Sequence, residues 1–583
     1  MTSKVSSLLL AALGSLVTLL ASPTTLLAGT SISACGPITQ SGTYTLSQDI
    51  SSNSGDCIDI QVSNVTLRLN GHKITGPGAP TAINGVLVLS PSGLSLSNVF
   101  IIGNGMISGC GFGVQLVSAI NSGVIGVSLF TNAVGVSVGG TASNPSKHLF
   151  ISQNDVEKNN LDGIDLNQTS LSRVIGNNCS NNTRGISLTA STGNVLLGNL
   201  CNSGGFTGIV LDSGSTGNNL EGNTTNSNFA NGIDLHGGSN TLVGNGADTN
   251  GADGILVEAG STGSHFSGNV ALGNSTFEAE DDNSNCGTNV YHNDAFGTTN
   301  QSCVNTLLAG TPISACGTTI TKSGTYTLTQ DLSSSSGDCI DIQVSDVTLK
   351  LNGHNISGGG GSNGVSVQSL TGLSLNNVFV IGKGTISGFF IGIQLFSGIS
   401  RSGVIGVALS GNSVGISVGG TSNNPSTNLL ISQNDVEKSS GGLFLSGTSL
   451  SRIVGNNCSN NENGITLLGS TGNVLLGNTC NSGFEGIFLP ANSTGNHLEG
   501  NTTNFNGGFG IDLAGGSNTL VGNGADTNGT DGILVEVLST GNRFTGNAAL
   551  GNSTFDVQDN NSNCGTNLYK NDVFINASQP CVK

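Results

Sequence analysis

Residues 176–221 read GNNCSNNTRGISLTASTGNVLLGNLCNSGGFTGIVLDSGSTGNNLE, and this stretch decides the fold. A Gly-Asn pair opens each unit, Gly-Ile-x-Leu or a close variant follows, and both recur every 22 to 24 residues. In Gly-Ile-x-Leu, the alternation of a strand places Ile and Leu on one face and x on the other. A unit this short cannot bury an apolar face alone, so successive units must stack as the coils of a solenoid.

One asparagine column tests this stacking independently of the strands. It has one member per coil: Asn154, Asn177, Asn199, Asn223, Asn245 and Asn269. Turn geometry tolerates a single Asn, but six in register favour an inward ladder whose side-chain amides bond from coil to coil. The sequence therefore predicts two or three short strands per coil, with coils stacked at about 4.8 Å. About eleven such coils are expected in each of the two copies described next.

The whole pattern occurs twice. LLAGTSISACG at Leu26 returns as LLAGTPISACG at Leu307, and the closing FEAEDDNSNCGTNVYHND returns as FDVQDNNSNCGTNLYKND. Each copy thus has its own beginning and end. We predict an all-β protein of two tandem parallel β-helix solenoids, residues 25–305 and 306–583, preceded by a signal peptide at residues 1–24.

The predicted signal peptide combines Lys4, an apolar stretch over residues 8–21, and the small pair Ser22 and Pro23. The alternative is an N-terminal membrane anchor, but the apolar part is shorter than a span and no later segment is continuously apolar. The formal net charge of −18 argues against nucleic acid as the partner. We expect an exported chain, extracellular or at the cell surface, with no membrane span after cleavage.

Thirteen cysteines in an exported chain predict disulfides. Their spacing pairs them as Cys35 with Cys57, Cys179 with Cys201, Cys286 with Cys303, Cys316 with Cys339, Cys458 with Cys480, and Cys564 with Cys581. The pairs Cys179–Cys201 and Cys458–Cys480 are one coil apart, which stacks their side chains. Cys110 is left over, and Phe389 holds its place in the second copy, so we expect a buried apolar residue.

The motifs SGTYTLSQDI, CIDIQVSNVTLRLNGHKI and NCGTNVYHNDAFGTTNQSC resemble those of right-handed parallel β-helix repeat proteins of the pectin-lyase-like superfamily, over nearly the whole mature chain. The resemblance implies the fold and its handedness. The superfamily includes pectate and pectin lyases, polygalacturonases, alginate epimerases, phage tailspikes and proteins linked to copper-enzyme maturation, so it does not select a reaction.

The residue sets of those enzymes are missing or scattered in this sequence. Polygalacturonase-like GHG and RIK segments are replaced by NGHK at Asn70 and NGHN at Asn352, which we interpret as structural. The six arginines do not cluster, and two Met with seven dispersed His do not favour a copper role.

Residues at the same position of successive coils are neighbours in space, and one such set of outward residues forms a candidate site. The outward positions of three consecutive coils, with the x residue of the middle coil, form an exposed patch: Asp212, Asp234, His236 and Glu258. A histidine flanked by carboxylates is suited to acid-base chemistry or to a cation such as calcium that takes oxygen ligands. The alternative is a solvated acidic stripe that keeps the rod soluble.

The second copy is an internal control for this patch. Its corresponding residues are Pro490, Asp512, Ala514 and Glu536. If the patch is functional, only the first copy is active. A second acidic group in the closing segment, Glu278, Glu280, Asp281 and Asp282, we interpret as a cap of the last coil, with calcium binding as the alternative.

Three functions remain open from the sequence. The first is a secreted protein that contacts polysaccharide along an exposed sheet. Phe444 and Phe488 either form a small stacking surface on this sheet or pack under a turn or against copy one. The second is a lyase, epimerase or glycoside hydrolase that uses Asp234 and His236. The third is a structural or adhesive spacer.

Overall fold

The computed structural model describes residues 29–79, 82–141, 143–304, 310–370, 372, 374–421 and 423–582. The predicted signal peptide and the predicted boundary between residues 305 and 306 lie outside them. Below, copy one is residues 29–304 and copy two is residues 310–582. Each copy is a parallel β-helix in which a strand pairs with the equivalent strand one coil away.

Three main sheets run along copy one. Sheet A1 has 12 strands: Thr30–Ile32, Gly42–Leu46, Val65–Arg68, Val99–Ile102, Gly123–Ile125, Phe150–Ser152, Arg173–Ile175, Val195–Leu197, Asn219–Glu221, Thr241–Val243, His265–Ser267 and Val290–His292. Sheet B1 has 11: Gly36–Ile38, Ile58–Ile60, Asn84–Val88, Phe112–Val117, Val134–Gly139, Asp162–Asn167, Arg184–Thr189, Ile209–Leu211, Ile233–Leu235, Ile255–Val257 and Ala279–Asp281. Sheet C1 has five: Ile50–Ser51, Lys73–Thr75, Met106–Ser108, Ser128–Phe130 and Asp155–Glu157.

Copy two repeats this arrangement. Sheet A2 has 12 strands: Thr311–Ile313, Gly324–Leu328, Val347–Lys350, Val378–Ile381, Gly403–Ile405, Leu430–Ser432, Arg452–Val454, Val474–Leu476, His497–Glu499, Thr519–Val521, Arg543–Thr545 and Leu568–Lys570. Sheet B2 has 11: Thr318–Ile320, Ile340–Ile342, Asn363–Val367, Ile391–Leu395, Val414–Val418, Gly441–Ser446, Asn463–Leu468, Glu485–Leu489, Ile511–Leu513, Ile533–Val535 and Val557–Asp559. Sheet C2 has five: Leu332–Ser334, Ile356–Gly358, Thr385–Ser387, Ala408–Ser410 and Asp435–Glu437.

Short ladders and 3-10 helices complete the described coils. The ladders of copy one are Leu96–Ser97, Ala119–Ile120, Ser146–Lys147 and Thr169–Ser170, and Val270–Ala271 with Ala295–Phe296. Those of copy two are Ser426–Thr427 with Thr448–Ser449, and Ala548–Ala549 with Val573–Phe574. The 3-10 helices are Ser284–Cys286, Ser562–Cys564 and Pro580–Val582. No helix among the described residues is long and apolar enough to cross a membrane.

The predicted asparagine ladder is confirmed. Asn177 Nδ2 donates to Asn199 Oδ1 at 2.9 Å and to the carbonyl oxygen of Ile151, and the same pattern continues through Asn269. Each amide side chain therefore satisfies buried polar groups of two neighbouring coils. Further ladders that the sequence reading missed include Asn194, Asn218 and Asn240, and Asn228, Asn250 and Asn274.

Four of the six predicted disulfides are present: Cys35–Cys57, Cys286–Cys303, Cys316–Cys339 and Cys564–Cys581. They lie at the two ends of each copy, and disulfides of this kind are typical of an oxidising compartment. Cys110 is a buried thiol and Phe389 is buried in its place in copy two, as predicted.

The other two predicted bridges are corrected by the structure. Cys179, Cys201, Cys458 and Cys480 are buried, unbonded thiols. Cys35, in a first coil, approaches Cys57 to a Cα–Cα distance of 4.5 Å. Cys179 and Cys201 lie in the middle of the solenoid, where the ladder bonds fix each coil from both sides. A strand spacing of about 4.8 Å lies within the Cα–Cα range of a disulfide, so distance does not prevent these bridges. Burial raises the pKa of the Cys179 and Cys458 thiols well above the ordinary value, and this disfavours the thiolate that bridge formation requires.

Each copy buries its own apolar core. The inward Ile, Leu and Val side chains of copy one form one cluster and those of copy two form another. Smaller apolar clusters join the copies across sheets A1 and A2, for example Ile175 and Leu197 with Val454 and Leu476. Sheets B1 and B2 take no part in these clusters, so the candidate patch lies on a sheet that the other copy leaves uncovered.

Candidate functional site

The candidate site lies on neighbouring coils of sheet B1. Strands Ile233–Leu235 and Ile255–Val257 pair with Asp234 opposite Leu256. The ladder continues past the strand ends, because the His236 amide donates to the Leu211 carbonyl and the Glu258 amide donates to the Leu235 carbonyl. Because the register is kept, His236 and Glu258 stack on consecutive coils, and Asp234 lies two residues from His236 on the same strand.

Asp234, His236 and Glu258 come together as the column reading predicts. One ligand atom from each residue lies within 4.8 Å of the other two. His236 Nε2 is 3.3 Å from Asp234 Oδ1. The prediction of an exposed patch is wrong for Asp234, which is buried. Glu258 is half-buried and the His236 side chain is 41% exposed, so the group opens to solvent on the imidazole side.

Asp234 is the most unusual member of this group. Its Oδ1 atom is buried and accepts no hydrogen bond, apart from the nearby imidazole. Burial raises the pKa of the Asp234 carboxyl, His236 opposes this increase, and Glu258 adds to it. Burying a carboxylate with few hydrogen-bond donors is costly, and a proton or a cation at this position would relieve that cost.

Asp212, the fourth predicted member, has a different role. Its Oδ1 accepts hydrogen bonds from the Ala190 and Gly214 amides and from Ser215 Oγ at 2.8 Å. These bonds direct the carboxylate toward the backbone of the tight turn that follows its strand. Asp212 is therefore a turn cap, and the three-residue group is the candidate site.

A second group of acids lies one coil further along sheet B1. Burial and the neighbouring Asp253 and Asp282 raise the pKa of Glu280 to about 7. The sequence predicts Glu280 and Asp282 as members of an acidic group in the closing segment, but it does not predict Asp253 as a member. A signal for Asp253 was available, because the residue before Gly-Ile also points outward from its coil.

The other two acids of the closing segment cap the last coil, as interpreted from the sequence. Glu278 accepts hydrogen bonds from the Thr298 amide and from the Gly273 amide. Asp281 accepts from the hydroxyl of Tyr291 and from Asn289.

Copy two keeps part of the site. Asp512 is buried, its Oδ1 has no hydrogen-bond partner, and burial with the charges of Glu536 and Glu485 raises its pKa to about 7. Ala514 stands at the position of His236. The paired acids are thus retained without the imidazole.

Two aromatic side chains on sheet B2 lie near this position. Phe488 pairs with Asp512 across neighbouring strands, and Phe444 is two coils from Phe488 with Thr466 between them. Both rings are half-buried. They present an apolar strip on the outward face.

Comparison with known proteins places the chain in a broad structural class. A model described as "right handed beta helix region" matches residues 128–271, and one described as "periplasmic copper-binding protein (NosD)" matches residues 375–578. The chain is a right-handed parallel β-helix protein. The second match covers copy two, whose site lacks the histidine. No curated protein matches the chain by sequence.

Several solved structures are similar to parts of this chain. Pectate lyase Pel9A is 15% identical, with a TM-score of 0.29 over 41% of this chain and 68% of that one. The periplasmic alginate epimerase AlgG is 12% identical, with a TM-score of 0.27 over 59% of this chain and 76% of that one. A mutant tailspike protein of E. coli bacteriophage HK620 is 13% identical, with a TM-score of 0.28 over 83% of this chain and 72% of that one. Similarities of this size carry no argument about activity.

Proposed function

We propose that the chain is an exported polysaccharide-contacting β-helix protein, in which Asp234, His236 and Glu258 hold a divalent cation on the uncovered sheet B1. One observation carries this proposal: the three ligand atoms lie within 4.8 Å of one another, around a buried Asp234 carboxylate whose Oδ1 is contacted by His236 Nε2 at 3.3 Å. One imidazole and two carboxylates match the ligand preferences of Zn²⁺ or Cu²⁺ more closely than the all-oxygen set of Ca²⁺.

The net charge explains why a cation matters for binding. With a formal charge of −18, the chain repels an acidic polymer, and the acids Asp253, Glu280 and Asp282 lie beside the site. A bound divalent cation reverses the local field and offers open coordination positions to carboxylate or hydroxyl groups of a sugar. A linear polymer would run along the column of outward residues, across successive coils.

A second role for the same residues is acid-base catalysis. Burial raises the pKa of Asp234, which lies next to an exposed imidazole, and a pair of this kind suits general acid-base chemistry on a glycan. If Asp234 and His236 serve a lyase or an epimerase, the chain must convert the glycan chemically as well as bind it.

The test is glycan binding and turnover by the full chain, with Zn²⁺, Cu²⁺, Ca²⁺ or a chelator. The variants are His236→Ala and, as a control, His292→Ala, which removes an exposed histidine in the last coil of sheet A1. We expect cation-dependent binding to an acidic polysaccharide that His236→Ala abolishes and His292→Ala preserves. Release of unsaturated or reducing ends that requires His236 would favour the enzyme instead. Absence of binding and of turnover under every condition would contradict both and favour the spacer.

A further inference from the structure

The contact between the two copies is made by equivalent residues on both sides. Arg173 of copy one forms an ion pair with Glu499 of copy two, and Arg452 of copy two forms one with Glu221 of copy one at 2.6 Å. In the duplication, Arg173 corresponds to Arg452 and Glu221 corresponds to Glu499. The two ion pairs are therefore the same contact made twice.

Two further contacts follow the same rule. Gln153 Nε2 donates to the Gly522 carbonyl at 2.5 Å, and its counterpart Gln433 donates to the Gly244 carbonyl at 2.6 Å. Between these contacts, Gly198 lies directly against its own counterpart, Gly477. A pseudo-two-fold axis passes between these two glycines, and the solenoids run in opposite directions across it. This is the geometry of an isologous dimer interface within one chain.

The apolar clusters on either side of the axis are also counterparts, but their side-chain sizes differ. One cluster joins Ile125 and Phe150 to Ala548 and Val573, and the other joins Ile405 and Leu430 to Val270 and Ala295. Phe150 packs with Ala548 and Val573, and Leu430 packs with Val270 and Ala295, so each end holds one large aromatic or aliphatic side chain against a Val and an Ala. Phe150 also fills the space over Gly546, where an added Cβ would lie 2.2 Å from the ring.

We propose that this face is a self-complementary docking surface that holds copy one against copy two by contacts that equivalent residues make on both sides of the axis. The polar contacts are duplicated across the axis, and an apolar cluster packs at each end of the face. The copies therefore recognise each other without the segment that links them.

The first test cuts the full chain. A protease site inserted within residues 305–309 separates the copies after folding. Each copy has its own apolar core and its own terminal disulfides, and each disulfide among the described residues joins two cysteines of the same copy. We expect the cut halves to elute as one complex of unchanged mass. Elution as two separate halves at micromolar concentration would overturn the proposal.

Charge exchange tests the ion pairs. Arg173→Glu places a second negative charge opposite Glu499 and should weaken the complex. Adding Glu499→Arg in copy two reverses the pair and should restore the complex. Arg184→Glu is the matched control, because Arg184 pairs with Asp162 on sheet B1, away from the other copy. If Arg173→Glu weakens the complex no more than Arg184→Glu, or if the exchange gives no rescue in folded protein, the proposed interface is wrong.

Discussion

Copies one and two share their coils, ladders and terminal disulfides, yet they differ at one place on sheet B. In copy one, Asp234 and His236 lie together, and in copy two the same positions hold Asp512 and Ala514. The imidazole moderates the pKa increase of Asp234, while the pKa of Asp512 increases to about 7. Duplication has thus kept the scaffold and changed the chemistry that a single outward column can perform.

The largest expected effect concerns the asparagine ladder, which both copies have. Asn199→Ala in copy one removes a side chain that donates to Asn223 and to the Val174 carbonyl and leaves buried groups without partners. We expect a loss of about 3 kcal/mol in the free energy of unfolding. Asn478→Ala, its counterpart in copy two, should cost the same. Denaturant unfolding of each variant checks this, and a clear inequality would show that the two ladders are not equivalent.

The next prediction adds to copy two the imidazole that only copy one has at this position. Ala514→His places an imidazole beside Asp512 and Glu536, and we expect copy two to gain Zn²⁺ affinity on the order of a hundredfold. Isothermal titration on the full chain with His236→Ala already in place isolates the new site. Ala514→Gln, which adds bulk without an imidazole, is the control and should bind no better than the parent.

A pH profile separates the two aspartates. Because the pKa of Asp512 is higher in the folded chain than its ordinary value of 3.8, its contribution to stability is present below pH 4 and is lost as the pH rises through about 7. Asp512→Asn removes this loss, so the variant should exceed the wild type by on the order of 2 kcal/mol at pH 8 and approach it at pH 4. Asp234→Asn should gain less at pH 8, since His236 opposes the pKa increase. Urea unfolding at both pH values checks the order, and a larger gain for Asp234→Asn would contradict it.

The smallest effect concerns the buried thiols that both copies keep. Thiol titration of the denatured, unreduced chain should give five free cysteines, Cys110 and the two stacked pairs. Cys201→Ala and Cys480→Ala should each cost only about 1 kcal/mol, because they remove a small buried side chain and no covalent link. One thiol in that titration, with costs of several kcal/mol, would mean that both stacked pairs are bridged.

Local patterns were enough to predict the coils, the duplication and the inward ladder. They also placed Asp234, His236 and Glu258 in adjoining columns. They did not predict that Asp212 caps its own turn, because this depends on the direction of the Ala190 and Gly214 amides. The unbonded state of Cys179 and Cys201 could not be inferred from their separation in sequence, because Cys35 and Cys57 have the same separation and are bridged.

The contact between copies was least visible in the sequence. Arg173 and Arg452 looked scattered, but each completes an ion pair with an acid more than 200 residues away in the chain. No periodicity encodes such a pairing, because it arises when two finished faces dock.

The sequence by itself determined the repeat, the inward and outward faces and the ladder, because each of these depends on contacts one coil apart. Only the tertiary structure decided which sheet is covered and which sheet is left open for the candidate site. That choice depends on the fit of two rigid solenoids across a pseudo-two-fold axis, and rigid-body fit is a property of whole surfaces rather than of any local pattern.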